Sequence, residues 1–186
     1  MDKAICVYSS SSCEIAEEYF DVALELGRLI ARKGYSFIFG GGLIGLMGTC
    51  AKGVHECGGK VIGVIPEALN RKGIVYEAAD EIIVTEGMRE RKAVMDTLSS
   101  AFIALPGGFG TLEELLEIIT LRQLGYHDKL VVIVNTRGFY DHLIGQFERG
   151  FTEKFAVGAN RSLYHVVSNA GEAMEYIDTC LRCQRK

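Results

Sequence analysis

Seven short apolar runs divide this chain, at residues 3–8, 35–39, 60–65, 81–85, 101–105, 130–134 and 163–167. Most are unbroken runs of Val, Ile, Phe and Ala, not alternations. That is the pattern of parallel strands buried on both faces. Between them apolar residues recur at three- and four-residue spacing, which predicts helices near 14–33, 43–57, 88–99, 111–124, 139–149 and 169–183. The first helix carries Ala16, Tyr19, Phe20, Ala23, Leu26 and Ile30 on one stripe, and Gly34 supplies its stop. Such alternation predicts one α/β domain over 1–186, doubly wound, with about seven mostly parallel strands flanked by helices. No linker, repeat or low-complexity stretch interrupts it. The two prolines, Pro66 and Pro106, each follow a strand.

Composition narrows the functional classes. The 186 residues suit one domain with a real core, and 48% apolar with 24% charged residues is a soluble globular balance. A net charge of -4 argues against broad binding to nucleic acid or membrane surfaces. No apolar run approaches a membrane span. The first residues read as a strand, not as a signal peptide. Six cysteines without a secretion signal read as reduced thiols, so a cytoplasmic location is expected. Cys180 and Cys183 lack a second pair at zinc-site spacing and read as a fortuitous surface pair. The histidines at 55, 127, 142 and 165 show no ligand spacing, and no metal is expected.

The densest chemistry lies at Pro106-Gly107-Gly108-Phe109-Gly110-Thr111-Leu112-Glu113-Glu114, directly after an apolar run. Proline ends the strand, and the glycines permit a tight turn close to a ligand. Thr111 reads as the helix N-cap, with Leu112, Leu115, Leu116 and Ile119 as the apolar stripe behind it. A glycine loop opening a helix offers N–H groups and the positive dipole end to a phosphate. Glu114 would then fall in the first turn, off the apolar face, as does Glu113. Acids there commonly complement the dipole, and periodicity does not separate the two.

A second glycine loop, Gly40-Gly41-Gly42-Leu43-Ile44-Gly45, meets the dinucleotide fingerprint literally, with Glu67 following the next strand. Tight turning and helix–sheet packing explain it equally well. In the helix at 88–99, Arg91 falls in the middle of the apolar face made by Met88, Val94, Met95 and Leu98. It either pairs with a structural carboxylate or aims its fork into a ligand cleft. Lys92 lies at the edge of that face, and Arg89 points to solvent. Ser9-Ser10-Ser11-Ser12 reads as a polar turn and helix cap that could also line the cleft. No nucleophile elbow or Walker loop is present.

Together these residues resemble the LONELY GUY family of cytokinin riboside 5′-monophosphate phosphoribohydrolases, whose members often carry the label possible lysine decarboxylase. Pro106 to Glu114 match the family's Pro-Gly-Gly-x-Gly-Thr-x-x-Glu, Met88, Arg91 and Lys92 match its Met-x-x-Arg-Lys, and Gly40 to Gly48 match its early glycine run. The resemblance spans nearly the whole chain. It implies a Rossmann-like fold, a homodimer, no cofactor, and cleavage of the N-glycosidic bond of a nucleoside 5′-monophosphate. It implies Arg91 and Glu114 as the catalytic pair, which selects Glu114 over Glu113. Gly41, Gly42, Arg71, Met88, Lys92, Gly107 to Glu113 and Thr120 are the substrate contacts it implies. The chain departs from the family at Gly73, where relatives carry a substrate-binding glutamate; Glu67 and Glu77 are the replacement carboxylates nearby. Decarboxylation of lysine would need pyridoxal phosphate on a lysine, and no lysine here stands out for it. Two rival readings stay open: a nucleotide-binding sensor or carrier without catalysis, and a dinucleotide-dependent oxidoreductase resting on Gly40 to Gly45.

Overall fold

The computed structural model describes residues 3–183. Strands β1 (Ala4–Tyr8), β2 (Ser36–Phe39), β3 (Val61–Pro66), β4 (Glu81–Thr85), β5 (Ala101–Ala104), β6 (Leu130–Val134) and β7 (His165–Val167) alternate with helices. The helices are α1 (Glu17–Arg32), α2 (Gly45–Glu56), α3 (Met88–Leu98), α4 (Phe109–Gln123), α5 (Asp141–Thr152) and α6 (Ala170–Cys183). Every predicted strand and helix is present, with ends shifted by a few residues. Among the described residues no helix is long and apolar enough to cross a membrane.

The strands form one parallel sheet in the order β4-β3-β2-β1-β5-β6-β7. The chain steps outward from β1 to β4, then returns to the other side of β1 for β5. The carboxyl ends of β1 and β5 therefore flank a topological switch point, where doubly wound sheets open a crevice. Successive strand side chains point to opposite faces. Ile5, Val7, Phe37 and Phe39 enter a core with α1, α2 and α6. Cys6, Tyr8, Ile38 and Phe102 enter a second core with Met95 of α3 and with Leu115 and Ile118 of α4. Helix α5 adds only the partly buried Leu143, Ile144 and Phe147 to that face.

Two elements differ from expectation in ways that matter to the site. Helix α4 starts at Phe109, with Gly108 as its N-cap and no side-chain cap bond. Thr111 is therefore not the cap but a buried residue within the first turn, packed against the backbone of Gly107. Starting two residues early also moves Glu114 into the second turn. The buried stripe then runs through Thr111, Leu115 and Ile118, while Leu116 is 41% exposed. Glu114 lies on that inward side, not opposite it.

Helices α1 and α2 cross with their backbones in contact. A Cβ on Gly27 would stand 2.1 Å from the Cys50 carbonyl oxygen, and one on Gly53 would stand 2.3 Å from that of Leu24. Neither carbonyl can yield, because each belongs to a helix. Gly27→Ala is expected to cost about 1–3 kcal/mol of stability by overpacking, read as a lower midpoint in chemical denaturation.

Candidate active site

A cleft of about 670 Å³ opens at the carboxyl end of the sheet. Three loops meet there. The serine segment after β1 donates its Ser10 N–H to the Pro106 carbonyl and accepts the Leu46 N–H, which ties it to both glycine loops. The Gly40–Gly42 loop is held by the segment after β3, through Leu43 N–H to Ile74 and Tyr76 N–H to Gly41. The buried Tyr140 donates its hydroxyl to the Leu105 carbonyl at 2.7 Å, anchoring the turn that leads into α4.

At the base of the cleft lies an ion pair. Arg91 Nη1 donates to Glu114 Oε1 at 2.7 Å, with the two side chains only 9% and 11% exposed. Arg91 Nε donates to the Val64 carbonyl at 3.0 Å. Nη2 makes no hydrogen bond to any described residue and lies over Gly40. The cation thus has one donor group for its carboxylate, one for the sheet end and one to spare. Burial raises the Glu114 carboxyl above the usual glutamate range, and the neighbouring Arg91 charge only partly offsets this. Deep burial raises the Cys6 thiol and the Tyr8 phenol beneath it, and the Glu114 carboxylate adds to both shifts.

The pair is what separates Glu114 from Glu113. Glu113 is mostly exposed at the rim, where it and Glu117 hold Lys92. Lys92 therefore does not line the main cleft; it faces a smaller cavity behind Glu114. Of the residues singled out in the sequence, Gly42, Met88, Arg91, Gly108, Phe109, Gly110, Thr111, Glu113 and Glu114 line the cleft. Four others do not reach it, each for a local reason. Gly107 lies behind Thr111, Gly41 packs on Ile65, Leu112 joins the second core, and the exposed Arg71 donates Nε to the Ala68 carbonyl. Thr120 sits on the outer side of α4, bonded to the Leu116 carbonyl, and lines a separate groove against α5.

The cleft also takes residues that sequence reasoning undervalued. Ser9 to Ser12 line it, as does Gly40. Ile44, Met47, Leu69 and Ile74 add an apolar wall. Gly73 lines the cleft at φ +82°, a conformation that disfavours any side chain, and neither Glu67 nor Glu77 lines it. The first-turn N–H groups of α4 have no carbonyl partner within the helix and open toward the same space, as an anion would require. Among the described residues no cluster of His, Cys, Asp and Glu could hold a metal ion.

A family model described as possible lysine decarboxylase matches residues 47–177. The cytokinin riboside 5′-monophosphate phosphoribohydrolase LOG5 of Arabidopsis thaliana is 41% identical over 176 residues, covering 95% of this chain and 77% of that protein. The phosphoribohydrolase LOG of Oryza sativa subsp. japonica is 46% identical over 153 residues, covering 82% of this chain and 63% of that protein. Among solved structures, the molybdenum cofactor carrier protein of Chlamydomonas reinhardtii aligns with a TM-score of 0.75 at 25% identity, over 98% of this chain and 99% of that one.

The electrostatics of the pair predict a titration. Burial disfavours the Glu114 carboxylate, and Arg91 favours it. Removing Arg91 should move the Glu114 midpoint further upward, by more than it moves any other carboxyl. Carbon-13 NMR of the glutamate carboxyls in wild type and Arg91→Ala is the check.

Proposed function

The chain belongs to the LONELY GUY family of cytokinin riboside 5′-monophosphate phosphoribohydrolases, and from that premise we propose that it hydrolyses adenosine 5′-monophosphates, N6-substituted or unsubstituted. The products are the free base, a cytokinin or adenine, and ribose 5-phosphate. The observation that carries this reading is the buried Arg91–Glu114 pair, which sits beside the amino end of α4 in one cleft.

In this reading the 5′-phosphate docks on the N–H groups of Gly108 to Thr111 and serves as a handle that orients the sugar. The bond from C1′ to the base nitrogen breaks with its electron pair leaving on the base. Positive charge develops on the ribose ring, as in other glycoside cleavage. Glu114 stabilises that charge and takes a proton from the attacking water, which forms the new bond to C1′. The proton ends on the departing base. Arg91 holds Glu114 in place and offers its spare donor to the negative charge on phosphate or base. A single well-placed carboxylate favours direct attack by water over a covalent intermediate.

The protein works in the cytoplasm in this reading, in keeping with six free cysteines. It also works as a homodimer. The groove between α4 and α5 is lined by Leu116, Ile119, Phe147 and Phe151, and Leu124, Tyr126, Phe155 and Val157 are exposed. Exposed apolar groups on this scale suit an interface. Leu116→Lys should shift the protein to a monomer in size-exclusion chromatography with light scattering.

A second reading, a nucleotide carrier without catalysis, draws on the likeness to the cofactor carrier. The same assay separates the two. Purified protein is incubated with AMP and with isopentenyladenosine monophosphate, and free base and ribose 5-phosphate are measured by chromatography. Base release is expected, falling by about 10²–10⁴-fold in Glu114→Gln while the nucleotide still binds. Intact nucleotide recovered from a tight wild-type complex would favour the carrier.

A further inference from the structure

The glycine run at 40–45 meets a dinucleotide fingerprint, yet protein atoms account for the space at each of its fingerprint positions. A Cβ on Gly45 would lie 2.5 Å from the backbone of Ser11, and one on Gly42 would lie 2.5 Å from the Met47 methyl. At Gly40 the neighbour is functional. A Cβ there would lie 1.8 Å from Arg91 Nη2 and 3.0 Å from its Cζ. The guanidinium rests against the Gly40 backbone, in the volume that any side chain would fill. Its other two nitrogens are held by the Val64 carbonyl and by Glu114.

We infer that Gly40 is a positioning residue for Arg91: the missing side chain lets the guanidinium lie flat between the ends of β2 and β3 and keeps Nη2 free toward the ligand. The run at 40–45 is thus an arginine seat and not a pyrophosphate cradle. Three groups define the seat, the Gly40 backbone, the Val64 carbonyl and the Glu114 carboxylate, and they come from the turn after β2, from β3 and from α4. A methyl at position 40 pushes the guanidinium off all of them. This inference rests on Arg91 acting on the substrate as proposed above.

The test compares wild type, Gly40→Ala, Arg91→Ala and the double variant, with AMP and isopentenyladenosine monophosphate as substrates. Gly40→Ala is expected to lower kcat by about 10²-fold, the scale of a misplaced catalytic group, with KM changed by less than about twofold. In the Arg91→Ala background the same methyl has no guanidinium to displace, so the double variant should be no slower than Arg91→Ala. An equal proportional loss in both backgrounds, a change in KM alone, or full activity in Gly40→Ala would each overturn the inference.

Folding and the functional reading are controlled separately. Displacing the guanidinium leaves the buried Glu114 carboxyl without its partner, so Gly40→Ala should lower Tm as Arg91→Ala does, and the double variant should lose no more than Arg91→Ala. A larger Tm loss in the double variant than in Arg91→Ala would count against the seat, because the methyl would then act with no guanidinium to displace. The Glu114 titration supplies a readout independent of turnover. Arg91, Glu113 and Lys92 act on that carboxyl from α3 and α4, and Cys6 and Tyr8 face it from β1. Displacing Arg91 should raise the Glu114 midpoint in Gly40→Ala as Arg91→Ala does. An unmoved midpoint refutes the seat even where wild type releases no base, whereas absent base release with a raised midpoint refutes only the enzymatic reading.

Discussion

Two opposite charges nearly buried at the end of a parallel sheet set the terms for the rest of this molecule. Neither Arg91 nor Glu114 is tolerable there alone, because a buried charge without its partner typically costs about 3–5 kcal/mol. Each must therefore be delivered by an element of fixed position. Helices α3 and α4 do this from one face of the sheet, anchored by Met95 and by Leu115 and Ile118 in the second core. The Val64 carbonyl takes one donor of the guanidinium, and Gly40 leaves room for its plane. The inward side of α4 that buries Thr111, Leu115 and Ile118 also carries Glu114 to the pair.

The pair gains chemical meaning from where the topology puts it. Strand order reverses at β1, so the loops after β1, β2, β3 and β5 all open into one crevice. The amino end of α4 contributes backbone N–H groups, the serine segment contributes hydroxyls, and Ile44, Met47, Leu69 and Ile74 contribute an apolar wall. A ligand with a phosphate, a sugar and a flat base matches that distribution. The carboxyl that would serve as base is raised by the burial that excludes water from it, and Arg91 opposes that shift. A cofactor carrier shares this fold, so the fold by itself does not assign catalysis.

Periodicity made the architecture legible. Apolar runs, most of them unbroken, marked all seven strands, because a parallel sheet covered on both faces needs no polar side. Three-and-four spacing marked all six helices. Glycine and proline punctuation located the loops of the cleft. The site itself was legible as candidates only. Pattern placed Arg91 on an apolar face and left its role open between a structural pair and a ligand grip; the coordinates show it making the pair and keeping a donor free. Pattern could not tell Glu114 from Glu113, and the resemblance to a known family decided it before the geometry did.

What the sequence by itself determined is the order of elements and the residue types able to do chemistry. These depend on short-range spacing along one helix or strand. What only the tertiary structure decided is which of them meet. Helix α4 begins at Gly108 and not at Thr111 because Thr111 is buried against Gly107, a contact no helical wheel contains. Lys92 is drawn to Glu113 and Glu117, and Thr120 turns to the α5 side, because helix faces are assigned by neighbouring helices. Gly40 matters because an arginine 51 positions later in the chain lies over it. Local pattern sets local conformation, but a charge pair and the space it occupies are fixed by distances across the sheet.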